Sequence, residues 1–109
     1  MENKPLETKE QIDEIKAVQG LSVIFKHNTT CPISKSVRAS FEKEAGIIPN
    51  LGSVYFLDLL AHRDISDAIA QQFGVPHESP QLLLIRDGEC IYNASLYDIS
   101  AEKTAEAVA

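Results

Sequence analysis

The chain has 109 residues, 44% of them apolar and 24% charged, which fits one folded domain over residues 1–109 and excludes disorder as its ground state. Ten Lys and Arg against sixteen Asp and Glu leave a net charge of −6 with no basic run, so the positive footprint that nucleic acid or an anionic membrane surface demands is missing. Two cysteines are too few for a disulfide framework or a typical structural zinc site, so no metal is expected and the use of the two thiols becomes the question.

The chain opens Met1-Glu2-Asn3-Lys4-Pro5-Leu6-Glu7, without the basic and apolar regions of a signal peptide. No apolar run approaches the roughly 20 residues of a membrane span. A cytoplasmic protein with reduced thiols is expected. Thr8 and Gln11 have capping-box spacing, followed by Ile12, Ile15 and Val18 as an apolar stripe and Gly20 as a stop, which predicts a first helix. Residues 21–26 are β-branched and aromatic and predict a strand. Asn28-Thr29-Thr30-Cys31-Pro32 is a loop into a second helix, with Pro32 in the first turn, Ile33, Val37, Phe41 and Ala45 on one face, and Gly46 ending it.

Residues 54–59 predict a nearly all-apolar strand buried on both faces. Asp64 is the expected cap of a third helix with Ile65, Ala68, Ile69 and Phe73 inward and Gly74 as its stop. Residues 82–85 and 89–93 predict a hairpin around Asp87-Gly88. Ser100 caps a last helix carrying Ala101, Ala105 and Val108. The order α-β-α-β-α-β-β-α predicts an α/β fold: a four-stranded mixed sheet with helices on both faces, in the order of the thioredoxin-like fold.

Cys31 stands at the start of the second helix. First-turn N–H groups lack helical acceptors and, with the macrodipole, favour an anion there. Cysteines in such positions titrate at roughly 3.5–7.5 rather than about 8.5, and the thiolate is the nucleophile of disulfide exchange. The competing reading is a buried, inert cysteine, against which the polar Asn-Thr-Thr context and the helix-starting proline argue.

Thr30-Cys31-Pro32-Ile33-Ser34 after a buried strand resembles the active-site loop of thioredoxin-like oxidoreductases, with Ser34 where the second cysteine of Cys-x-x-Cys would stand. Together with His77-Glu78-Ser79-Pro80-Gln81 it is similar to the small bacterial YtxJ-like family, the monothiol bacilliredoxins of the bacillithiol system. The resemblance covers nearly the whole chain. It implies Cys31 as the attacking thiolate and Ser34 as a residue unable to resolve a mixed disulfide. It implies a cis Pro80 against the active-site loop, with Ser79 offering backbone hydrogen bonds to a bound peptide or thiol. It also implies bacillithiol as co-substrate, no tightly bound cofactor, and bacillithiolated client proteins as partners.

Other residues leave alternatives open. His27 and His77 flank the two segments and could support the thiolate or an anionic thiol; surface histidines are the plainer reading. Lys26, Lys35 and Arg38 could form an electropositive rim for the malate carboxylates of bacillithiol, or merely a solvated face. Cys90 starts a strand running the opposite way to the one that leads to Cys31, which argues against a direct bond between them. Two further functions compete with thiol exchange. One is a redox-inactive thioredoxin-like binding module using the Ser79-Pro80 groove. The other is an iron–sulfur carrier resembling monothiol glutaredoxins, weakened by Pro32 where those proteins carry Gly.

Overall fold

A computed structural model describes residues 1–108. Its elements are β1 (Glu2–Pro5), α1 (Glu10–Ala17), β2 (Leu21–His27), α2 (Pro32–Glu44), β3 (Leu51–Asp58), α3 (Arg63–Phe73), β4 (Gln81–Arg86), β5 (Glu89–Ser95) and α4 (Ala101–Val108), with 3-10 turns at Ala45–Ile47 and Leu96–Asp98. The strands lie in the order β1-β3-β2-β4-β5. β3 pairs in parallel with β1 and β2, β4 runs antiparallel to β2, and β5 antiparallel to β4. Among the described residues no helix is long and apolar enough to cross a membrane.

The sheet therefore has five strands, not the four expected. The added strand, Glu2-Asn3-Lys4-Pro5, has neither alternation nor β-branched residues, and its register from Glu2↔Ser53 to Pro5↔Phe56 is supplied by β3. An edge strand tolerates Pro5, whose missing N–H removes no bond from the sheet interior. Three local signals also resolve differently. Lys9, not Thr8, is the N-cap of α1, although Gln11 Oε1 still accepts the Thr8 N–H at 3.0 Å, the returning half of a capping box. α3 begins at Arg63, so Asp64 lies in its first turn instead of capping it. α2 ends at Glu44, and Gly46 sits within the following 3-10 turn.

Other signals act as read. Gly74 closes α3 at φ 67°, Asp87 and Gly88 take φ 51° and 85° at the hairpin, and Ser100 Oγ accepts the Lys103 N–H at 3.0 Å. β2 lies at the centre with all seven residues buried. Strand alternation divides them. Leu21, Val23 and Phe25 join Val37 and Phe41 of α2 and Ala101 of α4 in one core layer. Ile24 joins Ile12 and Ile15 of α1 and Ile65 and Ile69 of α3 in the other. Lys26 has the parity of Ile24 and so points into the α1/α3 layer.

Candidate active site

β2 and β3 end, and β4 begins, at one edge of the sheet. Continuing the Lys26↔Gln81 pairing by one residue sets Pro80 opposite His27, and by two sets Ser79 opposite Asn28. The loop carrying Cys31 and the segment carrying Ser79 and Pro80 thus leave adjacent strands at the same end. A further bond ties this edge together, from Leu96 N–H to Pro80 C=O at 3.1 Å.

Cys31 is the N-cap of the 13-residue α2, in extended conformation, half-buried, with Pro32 first in the helix. Its carbonyl accepts the Lys35 N–H at 3.1 Å, and its own N–H closes a turn on Asn28 C=O at 3.1 Å. Asn28 shapes that turn by accepting the Thr30 N–H and hydroxyl on Oδ1 at 3.0 and 2.8 Å. Pro32 has no N–H to offer, so the first-turn donors without helical acceptors are Ile33 and Ser34.

Ser34, three residues on, is fully buried. Its Oγ accepts the Asn28 N–H at 3.0 Å and lies 2.8 Å from His27 Nδ1. Burial and then the nearby Arg38 guanidinium lower the His27 pKa, which keeps the imidazole neutral near pH 7. The Ser34 hydroxyl, which can both donate and accept, pairs with Nδ1 of the neutral ring in either tautomer while taking the Asn28 N–H on its oxygen. His27 accordingly braces the loop through Ser34. The hydrogen bonds of the described residues include none between Cys31 Sγ and either His27 or His77.

The Ser79–Pro80 peptide is cis. Pro80 is buried, and Ser79 Oγ is buried with no partner among the described residues. The segment before them is tethered by Gln81, whose Nε2 donates to Pro76 C=O at 3.0 Å and whose Oε1 accepts the Glu78 N–H at 3.4 Å. His77 is an exposed residue, yet its Nδ1 lies 3.1 Å from Ser66 Oγ and 3.3 Å from Lys26 Nζ. Burial and the Lys26 charge lower its pKa.

The expected electropositive rim is smaller than read. Lys26 is fully buried on the far face of β2 and cannot present charge to a ligand. Arg38 is paired with Glu42 at 2.6 Å and sits over the Phe56 ring at 4.2 Å. Lys35 remains exposed beside the loop. Ser66 lies in no motif, and Gln81 closes the His77–Gln81 segment without a role of its own in the sequence, because the partners of both are fixed only by the fold.

Cys90 lies elsewhere. Its pairing with Ile85 puts it near the Asp87-Gly88 hairpin, at the opposite end of the sheet. Its Sγ donates to Tyr92 C=O at 3.4 Å, and burial raises its pKa. Both cysteines are free thiols.

Residues 4–104 match the model of a protein family described as "Monothiol bacilliredoxin BrxC". Among solved structures, the chain is similar to a thioredoxin-fold protein described as a candidate oxidoreductase, at 30% identity and TM-score 0.88 over 98% of this chain and 94% of that one. It is also similar in fold to the thioredoxin of Plasmodium falciparum (12% identity, TM-score 0.75, 97% of each chain). The thioredoxin of Malassezia sympodialis is comparable (20% identity, TM-score 0.70, 99% of this chain and 89% of that one). The fold, the Cys31 loop with Ser34 behind it and the family match converge: this chain belongs to the monothiol bacilliredoxin family and carries the thioredoxin-like fold.

Proposed function

We propose that the chain is a monothiol thiol–disulfide oxidoreductase that removes bacillithiol from mixed disulfides on client proteins, with Cys31 as its nucleophile. The Cys31 thiolate attacks the bacillithiol sulfur of the client. The client sulfur leaves as a thiolate, and a disulfide between Cys31 and bacillithiol replaces the one broken. A second bacillithiol thiolate then attacks that disulfide, restoring the Cys31 thiolate and forming oxidised bacillithiol. No net electrons remain on the protein, so the cycle needs no resident cofactor.

The carrying observation is Ser34. It occupies the place of a resolving thiol, is fully buried and is held by His27 and Asn28. A hydroxyl cannot displace the small thiol from Cys31, so the adduct waits for an external one. The Ile33 and Ser34 N–H groups supply the positive end of α2 to the reacting sulfur. Ser79 and Pro80 form the wall against which a mixed disulfide is laid, and Lys35 is the exposed cation available to its carboxylates. The exchange belongs to a reducing compartment, the cytoplasm, where thiolates persist.

Incubation of the reduced chain with oxidised bacillithiol, followed by intact-mass measurement, tests this. One bacillithiol adduct is expected on the wild-type chain and none on Cys31→Ala. An unmodified wild-type chain, or an equal adduct on Cys31→Ala, refutes it.

A further inference from the structure

Lys26 is fully buried in the α1/α3 layer, and the exchange mechanism does not use it. An ammonium in that place carries a desolvation cost of several kcal/mol, and an apolar side chain of similar length would fill the space without it. Among the described residues no carboxylate forms an ion pair with it. Nζ instead meets two neutral acceptors at 3.3 Å, the Ser66 carbonyl on α3 and His77 Nδ1. Packing stability alone does not account for such a residue.

Its surroundings do. Lys26 pairs with Gln81 across β2 and β4, and register partners project to the same face of a sheet. Both are buried, and both send polar groups to the segment 76–79. Gln81 holds that segment at Pro76 and Glu78, and Lys26 holds it at His77, with Ser66 Oγ adding a second contact to the same nitrogen. The segment runs directly into Ser79 and Pro80, beside the strand end from which the Cys31 loop departs. Two neighbouring residues of the central strands thus fix one wall of the site from beneath.

We propose that Lys26 is a positioning residue for thiol exchange, acting through His77 to set the segment 76–79 at the height where Ser79 meets an incoming mixed disulfide. The assignment rests on the exchange reaction proposed above. It separates docking from nucleophilicity: Lys26 and His77 govern how a substrate lies, and the Cys31 sulfur is left as it is. Because Lys26 works through His77, removing both residues costs no more than removing one.

The test uses the full chain with a cysteine peptide carrying bacillithiol in mixed disulfide. Transfer kcat/KM and the rate of Cys31 alkylation by iodoacetamide are measured for wild type, Lys26→Met, His77→Ala and the double variant. Each single variant is expected to lose about tenfold or more in transfer, as a mispositioned reactant does, with alkylation unchanged and the double variant no slower than the slower single. In wild type, the His77 15N shifts are expected to report a proton on Nε2 and an accepting Nδ1, and in Lys26→Met to move toward a tautomer mixture. Transfer unchanged in the variants, additive losses, or alkylation falling in parallel with transfer overturns the assignment and leaves the exchange reaction standing. No transfer by the wild-type chain overturns both. If Lys26→Met fails to fold, His77→Ala, a change at an exposed loop residue, decides alone: undiminished transfer refutes the proposal.

Discussion

Ser34 Oγ and His27 Nδ1 stand 2.8 Å apart, with the Asn28 N–H donating to the same hydroxyl at 3.0 Å. This pair joins the last residue of the central strand to the first turn of α2, and Cys31 lies between them in sequence. Replacing Ser34 with Ala leaves a half-buried N–H and a buried ring nitrogen without this partner. The expected loss is about 1–3 kcal/mol of unfolding free energy, measured in urea, with Cys31 still able to form an adduct. A Ser34→Ala chain as stable as wild type would show that the bonds are not formed in solution.

The same pair sets a pH dependence. Burial, with Arg38 secondary, holds His27 below its ordinary pKa of 6.5. The unfolded chain therefore takes up the proton first as pH falls, and stability declines below about pH 6.5 until the folded-state value is reached. His77, lowered by its own burial and by Lys26, acts in the same direction. Denaturation between pH 7 and 5 should show a shallower decline in His27→Gln than in wild type. Equal slopes would mean that His27 does not titrate differently in the two states.

Much of this site is legible in the sequence, and what is not has a definable cause. Cys31 and Pro32 announce themselves because helix-start chemistry is local: a proline in the first turn fixes which residue precedes it, whereas Ser34 is marked only by the resemblance to a Cys-x-x-Cys loop. Ser100, Gly74 and Asp87-Gly88 are local in the same way. β1 is not, since Glu2-Asn3-Lys4-Pro5 becomes a strand only through what β3 offers it. Lys26 shows the boundary most sharply. Its parity with Ile24, against Val23 and Phe25, is readable, but that both faces of β2 are covered follows only from its central place in the sheet.

Lys26 carries a second consequence, at alkaline pH. Burial lowers its pKa from 10.5 to about 8, and Asp67 only partly opposes this; its hydrogen-bond partners, the Ser66 carbonyl and His77 Nδ1, carry no negative charge. Between about pH 8 and 10.5 the unfolded chain holds a proton that the folded chain has released, so stability rises across this window. The difference is on the order of 3 kcal/mol. Below pH 8 the penalty of the buried charge is constant. Lys26→Met removes the rise and should be at least as stable as wild type at pH 7. A wild-type stability that stays parallel to that of Lys26→Met from pH 8 to 10 would contradict the lowered pKa.

Gly88 offers a control for stability without function. It has φ 85°, and a Cβ there would stand 2.5 Å from the Lys16 carbonyl oxygen at the end of α1. Gly88→Ala should cost about 2 kcal/mol or more, from the left-handed conformation and from the displacement of backbone. The hairpin lies at the far end of the sheet from Cys31, so bacillithiol adduct formation below the melting temperature should be unchanged. A Gly88→Ala chain that keeps its melting temperature would show that the hairpin moves away from α1 at little cost.

The last prediction concerns the two thiols and the hydroxyl that separates their roles. Cys90 is held with its pKa raised by burial and its Sγ on Tyr92 C=O, whereas Cys31 opens a helix. Limited alkylation at pH 7 should therefore label Cys31 first, and Cys90→Ala should leave adduct formation intact. Ser34→Cys restores a second sulfur one helical turn from the first. The Cys31–bacillithiol disulfide then has an internal attacker: the introduced thiolate bonds to the Cys31 sulfur, and bacillithiol leaves as its thiolate. After oxidised bacillithiol is added, wild type should keep one adduct by intact mass. Ser34→Cys should instead lose two hydrogens, keep no adduct, and release two bacillithiol thiols for each oxidised molecule consumed. A persistent adduct on Ser34→Cys would mean that the buried position cannot reach Cys31, and that the hydroxyl is not what holds wild type at the mixed-disulfide stage.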